Sequence, residues 1–159
     1  MQKNPSRSNN DEMRELLRQF DNLKNGRSHS FIEEESFERL VNYFDEKEDL
    51  TSALQAAEMG IEIYPYSSLL LIKKADLLLA TRQYKAALVV LEKAELLDSL
   101  DINLFILKTD AYLALDQQEK AIELLQDALE LFKDEERIEL LFELADVYDD
   151  YEEFEKVFE

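Results

Sequence analysis

The fold is decided by residues 68–101, which read SLLLIKKADLLLATRQYKAALVVLEKAELLDSLD. Apolar side chains recur here every three or four positions, the spacing that places them on one face of an α-helix. The stretch therefore predicts two consecutive amphipathic helices. Their apolar positions are Leu71, Ala75 and Leu78 in the first helix and Tyr84, Ala87, Leu88, Leu91 and Ala94 in the second.

The same pattern recurs along the chain with a period of 34 residues, as Ala53, Ala87 and Ala121 illustrate. A fixed period shared by several position classes is the sequence signature of a repeat protein. The last repeat follows at 36 residues, and we expect a loop at residues 133–137 to absorb the two extra residues. The other series are Gly60, Ala94 and Ala128; Phe44, Leu78 and Tyr112; Phe37, Leu71 and Phe105; and Leu50, Tyr84 and Gln118.

Each repeat predicts a helical hairpin. Small residues at a crossing let two helix axes approach to about 8–10 Å, and large apolar residues fill the groove around the contact. A single hairpin cannot bury its apolar face alone, so neighbouring hairpins must stack. We predict an all-α protein, an α-α superhelix built as a right-handed solenoid of helical hairpins, with an extra N-terminal amphipathic helix.

The period also sets the predicted domain boundaries. Residues 1–10 are polar and are expected to be disordered. The amphipathic pattern then begins, and Gly26 is placed to end the first helix. The predicted segments are the N-terminal helix 11–25, a linker and helix start 26–33, repeat 1 at 34–67, repeat 2 at 68–101, repeat 3 at 102–137 with a two-residue loop insertion, and an incomplete repeat 4 at 138–159.

Composition excludes most enzyme chemistry. The chain of 159 residues has two glycines, one histidine and no cysteine. Glycine-rich phosphate loops and the dinucleotide-binding fingerprint need more glycines than this. Without cysteine there is no disulfide, thiolate zinc site or cysteine nucleophile. The single histidine, His29, stands in a polar linker without catalytic partners, so we expect no catalytic residue, no metal and no cofactor.

The charge is strongly negative and unevenly distributed. The net charge is −19, from 18 basic and 37 acidic residues. Residues 1–30 carry six basic and four acidic side chains, so residues 31–159 carry 12 and 33. An acidic surface repels phosphate backbones and anionic lipids, which argues against nucleic acid and membranes as partners. The N-terminus has no apolar stretch typical of a secretory signal, so a cytoplasmic location is expected.

The repeats resemble the tetratricopeptide repeat (TPR), whose signature combines a large residue, Leu-Gly, Tyr, Ala-x3-Phe and a closing Pro. The resemblance covers about residues 34–159. It implies a solenoid of helical hairpins that serves protein interactions. The matching residues are Phe37, Leu40, Val41, Phe44, Ala53, Ala57, Gly60 and Pro65 in repeat 1, Leu71, Ala75, Leu78, Tyr84, Ala87, Leu91 and Ala94 in repeat 2, Phe105, Thr109, Tyr112, Ala121, Leu125 and Ala128 in repeat 3, and Leu141, Leu144, Ala145, Tyr148 and Phe154 in repeat 4.

Two features depart from the family pattern. Lys74 and Lys108 occupy a position that is usually leucine, so we expect their stems to pack while their ammonium groups reach water. Repeat 4 stops a few residues into its expected second helix, which would leave an apolar face exposed at Leu141, Leu144 and Tyr148. We therefore expect the chain to be the N-terminal part of a longer array, or this end to be covered by another molecule.

The resemblance implies a peptide-binding groove lined by the first helix of each repeat. The family's clamp for a C-terminal carboxylate uses Lys, Asn and Arg; Asn42 fits it, whereas Glu38 and Leu107 do not. An acidic C-terminal tail is therefore not the expected ligand. Aliphatic and carboxylate side chains together suit a peptide or helix with apolar anchors and Lys or Arg. The candidate groove residues are Asn42, Leu69, Ile72, Lys73, Asp76, Leu79, Asn103, Ile106, Asp110 and Leu113.

The occupant of this surface stays open between three alternatives. The aliphatic residues could belong to the core, with helix 11–25 packing as an added helix. That helix could instead fill its own or a neighbour's groove, because its Arg14, Arg18 and Lys24 complement the acids. The third alternative is an external peptide.

The resulting hypothesis is a non-catalytic interaction scaffold that binds another protein or peptide of basic and apolar character. The main alternative is a small acidic chaperone of the secretion type that dimerises through its N-terminal helix. Further alternatives are a purely structural dimerisation unit and an interaction part of an enzyme or receptor whose active domain lies beyond residue 159. A homo-oligomer would form through the N-terminal helix or the open C-terminal end.

Overall fold

The computed structural model describes residues 5–27 and 31–157, and all regular secondary structure within these ranges is helical. His29 therefore lies outside the described residues. The helices are α1 (Pro5–Lys24), α2 (Glu34–Glu46), α3 (Leu50–Ile63), α4 (Ser68–Ala80), α5 (Tyr84–Leu97), α6 (Ile102–Ala114), α7 (Gln118–Leu131) and α8 (Asp134–Val157).

The helices recur with the period found in the sequence. α2, α4 and α6 begin at residues 34, 68 and 102, and each has 13 residues. α3, α5 and α7 begin at residues 50, 84 and 118, and each has 14 residues. The 34-residue repeat of the sequence is thus one helical hairpin, and the all-α helical-hairpin fold is confirmed.

Each of these hairpins turns through one residue with a left-handed backbone. The residues are Glu48, Arg82 and Asp116, with φ angles of 58°, 62° and 57°. The following N–H returns to the last turn of the first helix; Gln83 N, for example, donates to Leu78 O over 2.8 Å. Glycine usually occupies this position because it has no Cβ to clash. Three non-glycine residues in this conformation therefore hold local strain at a regular 34-residue interval.

The chain divides into two compact units, Met1–Pro65 and Tyr66–Glu159. In the first unit, α2 and α3 form a hairpin around Phe37 and Leu40, which are fully buried. The Phe37 ring meets the Tyr64 ring edge-on at 6.2 Å, and the Tyr64 hydroxyl donates to Ile32 O over 2.7 Å. Small side chains on α3 allow this close packing; they are Ala53, Ala56, Ala57 and Gly60.

The N-terminal helix α1 packs on α2 as an added helix of the first unit. Leu16 and Phe20 are buried, and the Phe20 ring lies 5.7 Å from the Phe44 ring. α1 ends at Lys24 in the predicted glycine cap, because Gly26 has φ 67° and its N–H bonds to Leu23 O. The helix begins at Pro5, six residues before the start expected from the sequence, and residues 1–4 of the segment expected to be disordered lie outside the described residues. Proline fits the first helical turn, where its missing N–H leaves no bond unmade.

In the second unit, α4 to α7 form two hairpins, and α4 contacts both α5 and α6. The first helix of each hairpin is buried on more than one side, and α4 alone buries six residues. Lys108 is also buried, with 10% of its side chain exposed, and its Nζ donates to Glu95 Oε2. The expectation that this ammonium group reaches water is therefore wrong, because α5 supplies a carboxylate beside it.

The last helix, α8, differs from the sequence prediction at both ends. It begins at Asp134, so the stretch predicted as a loop at 133–137 is helical for all but its first residue. Carboxylates in the first turn favour such a start because they interact well with the positive end of the helix dipole; they are Asp134, Glu135 and Glu136. α8 then continues to residue 157 instead of turning into a second helix, since no glycine or proline interrupts it.

Candidate peptide-binding surface

The candidate surface of the second unit is formed by the first helices of successive repeats. α4 contacts α6, and α6 contacts α8. These helices therefore lie side by side, and residues at the same repeat position form rows across them. Asn42 belongs to α2 of the first unit, where it is exposed and makes an interaction of its own.

The candidate residues on α4 have unequal access to solvent. Asp76 is exposed and Leu69 is 38% exposed, so both present surface to a ligand. Lys73 and Leu79 are half-buried. Ile72 is only 7% exposed and belongs to the core. Ile72 therefore does not line the groove as predicted, because α4 packs against helices on two sides.

The candidate residues on α6 all reach the surface. Asn103 and Asp110 are exposed, and Ile106 and Leu113 are half-buried. The exposed carboxylate thus stands beside aliphatic side chains that are partly covered by their neighbours. This arrangement offers an apolar contact and a charge on one helix face.

Partial burial and a neighbouring carboxylate act on the pKa of Asp110 on this surface. Partial burial raises the pKa of Asp110 above its ordinary value, and the negative charge of Asp76 on α4 raises it further. Asp110 still reaches solvent, so the energetic cost of ionising it is small. The carboxylates of Asp76 and Asp110 lie close enough for their negative charges to repel each other. A positive charge placed there would favour their ionised forms.

Glu143 of α8 also belongs to this surface, although it is not among the residues predicted from the sequence. Burial raises its pKa, and the charges of Asp110, Asp146 and Glu139 raise it further. Glu143 stands 36 residues after Leu107, a groove position of repeat 3. Carrying the groove positions into the last repeat with that interval would have found it.

Other kinds of site have no support in the part of the chain that the structure describes. No group of three or more His, Asp or Glu side chains there could hold a metal ion. No described helix combines the length and the apolar character needed to cross a membrane.

Comparison with solved structures finds TPR domains of similar fold. The first TPR domain of Spaghetti (RPAP3), bound to the HSP90 peptide SRMEEVD, superposes with a TM-score of 0.66 at 18% identity, over 74% of this chain and 94% of that one. The TPR2B domain of yeast Sti1, in its pHsp70 complex, gives 0.66 at 20% identity, over 72% and 92%. MamA (41-end) from Desulfovibrio magneticus RS-1 gives 0.64 at 25% identity, over 78% and 69%.

Sequence comparison gives no corresponding result. No protein-family model matches the chain, and no curated protein matches it significantly. The likeness is therefore one of fold, carried by helix lengths and spacing.

Proposed function

We propose that the chain is a non-catalytic interaction scaffold, because it has the fold of tetratricopeptide-repeat domains. A cytoplasmic location is part of the proposal and rests on the N-terminal sequence. The ligand of the scaffold is a peptide or helix of another protein with apolar anchors and Lys or Arg side chains. The ligand lies on the surface formed by α4, α6 and α8. The observation that carries the proposal is the pair Asp76 and Asp110, two interacting carboxylates on adjacent helices beside aliphatic side chains.

The physical argument is charge complementarity. Two like charges raise each other's pKa, and a cation bound between them removes that repulsion. The aliphatic side chains beside them supply apolar contact, which Leu69 offers on α4 and Ile106 on α6. Electrostatic complementarity of this kind mainly raises the association rate and sets specificity.

The acidic surface also predicts a weak affinity for the peptide bound by one structural neighbour. The Spaghetti domain was solved with SRMEEVD, a peptide that ends in three acidic residues out of four. Asp76, Asp110 and Glu143 would repel such a tail. We therefore expect this chain to bind cationic amphipathic peptides and to bind SRMEEVD weakly.

The test compares a labelled amphipathic Leu/Lys peptide with SRMEEVD by fluorescence anisotropy. Asp110→Lys and Asp76→Lys should each weaken binding of the Leu/Lys peptide more than tenfold. Asp127→Lys on α7 is the matched control, since it changes the net charge equally at an exposed position away from the surface. It should change the affinity less than twofold. Equal effects of all three substitutions would show that only net charge matters, and would refute the proposed surface.

The alternative of a chaperone that dimerises through α1 has less support. Leu16 and Phe20, the apolar residues such a contact would use, are buried inside the first unit.

A further inference from the structure

α8 repeats α4 and α6 in register on one of its faces. Leu140 is 0% exposed, as is Leu70 at the same position of α4, and Leu104 of α6 is 1% exposed. Val147 is likewise buried, at 2%, and matches Leu77 at 4%. The first half of repeat 4 therefore docks as the first helix of a repeat.

A second face of α8 is more exposed than the same repeat positions of α6. Leu141 is 44% exposed, whereas Phe105 at the same repeat position is 5% exposed. Ala145 is exposed, whereas Thr109 is fully buried. We call Ile138, Leu141, Ala145 and Tyr148 the end face of α8. Tyr148 lies at its edge, because its hydroxyl accepts a hydrogen bond from Gln126 Nε2 of α7 over 3.0 Å.

The end face is exposed because no second helix of the described chain covers it, whereas α4 and α6 are each covered by the helix that follows them. α5 packs against α4, and α7 packs against α6. The Phe105 ring, for example, meets Phe132 directly after α7, at 5.4 Å between centroids. Within the described residues, α8 continues straight to Val157 and no helix folds back on it. The end face is therefore the surface that a second helix covers in each preceding repeat.

The repeats also show what such a helix presents. In α5, the fully buried positions are Ala87, Leu91 and Ala94, and α7 repeats this spacing. The common pattern is Ala-x3-Leu-x2-Ala. The two alanines permit close approach at the crossing, and the leucine fills the space between.

The negative charge of α8 determines which helices with that pattern would be attracted to it. From Asp134 to Glu152, α8 carries nine carboxylates and one arginine. A second copy of this chain would place two such helices against each other, with repulsion between like charges at every turn. A helix flanked by Lys and Arg would be attracted instead.

We propose that the end face of α8 is a second docking surface. It binds a helix of another protein that carries an Ala-x3-Leu-x2-Ala face with Lys or Arg on either side. This surface is distinct from the one formed by α4, α6 and α8 at Asp76 and Asp110, and the proposal does not depend on it.

The test uses the whole chain and a labelled 18-residue helical peptide, made of Ala, Leu, Gln and Lys with one central Ala-x3-Leu-x2-Ala face. A scrambled peptide of the same composition is the control. We expect Leu141→Ser and Ala145→Leu each to weaken binding about tenfold, by fluorescence anisotropy. Leu96→Ser, at an 88% exposed position of α5, should leave it unchanged. Circular dichroism checks that each variant stays folded. We expect all of them to fold, because the substituted positions are exposed.

Ala145→Leu distinguishes specific helix packing from nonspecific hydrophobic binding. A larger side chain blocks close approach of a partner helix, but it enlarges an unspecific apolar patch and would then strengthen binding. Stronger binding to Ala145→Leu, or equal binding of the scrambled peptide, would overturn the proposal. So would sedimentation equilibrium showing self-association of the chain that Leu141→Ser abolishes. The same measurements are repeated in the Asp110→Lys variant, which removes binding of this cationic peptide at the other surface. The effects of Leu141→Ser and Ala145→Leu should be unchanged there, so failure of one surface is distinguishable from failure of the other.

Discussion

Replacing Lys108 by methionine should leave the free energy of unfolding unchanged or raise it by up to about 1 kcal/mol. Methionine keeps most of the buried stem and removes an ammonium group whose side chain is only 10% exposed. Alanine at the same position removes about three methylenes from the core and should lower the free energy of unfolding by about 2–3 kcal/mol. The difference between the two variants separates the packing of the stem from the contribution of the charge.

The partner substitution, Glu95→Gln, should lower the free energy of unfolding by about 1–2 kcal/mol. It leaves the Lys108 ammonium group buried without a counter-charge, which costs about 3–5 kcal/mol where both partners are buried. Glu95 is 39% exposed, so water compensates part of that loss. In the Lys108→Met background the same substitution should have almost no effect, because no ammonium group remains.

Urea unfolding followed by circular dichroism measures all four members of this cycle. Lys74→Ala is the matched control for Lys108→Ala, since Lys74 stands at the same repeat position and is half-buried. We expect a smaller change there than for Lys108→Ala. A loss of more than 2 kcal/mol for Lys108→Met would refute the reasoning, because the ion pair would then stabilise the fold far beyond the packing of its stem.

Two further predictions concern the groove carboxylate and the hairpin turns. Asp110→Asn should raise the free energy of unfolding at pH 7 by about a few tenths of a kcal/mol, since the residue is exposed and the effect is screened. The raised pKa means that the folded state holds the Asp110 proton more tightly than the unfolded state, so this residue's contribution to stability falls as pH rises through the ordinary and the raised pKa values. The advantage of the variant should therefore disappear below about pH 4 in a series of urea titrations; a constant advantage would contradict this origin. Arg82→Gly and Asp116→Gly should each raise the thermal midpoint, because glycine relieves about 1 kcal/mol of left-handed strain, partly offset by its greater freedom in the unfolded chain. Alanine at the same positions should give no such gain, and a gain with alanine would show that the φ angle is not the cause.

The helical-hairpin fold could be predicted from the sequence because its signal is repeated. Ala53, Ala87 and Ala121 stand at one interval, and any single ambiguity is resolved by the other repeats. The helix starts at 34, 68 and 102 follow that interval. The start of α8 did not follow it, because the two extra residues could enter either a loop or a helix. The period does not distinguish these, whereas the acidic first turn favours the helix.

The candidate surface was harder to predict, because α4 and α6 are apolar on several sides. Leu69 and Ile72 look alike in sequence, yet one is 38% exposed and the other 7%. The difference depends on which neighbouring helices cover them, and that is a property of stacking. Lys108 shows the same limit, since its partner Glu95 stands on another helix. Spacing within one helix carries no information about such a contact.

The pattern of helix contacts in the second unit has a consequence for the speed of folding. Each helix from α4 to α8 contacts helices no more than two positions away along the chain. Contacts between residues close in sequence require little loop closure before they form. Proteins of such low contact order fold in microseconds to milliseconds. We therefore expect rapid folding of this unit, in which any hairpin can form first and serve as the template on which the adjacent helices assemble.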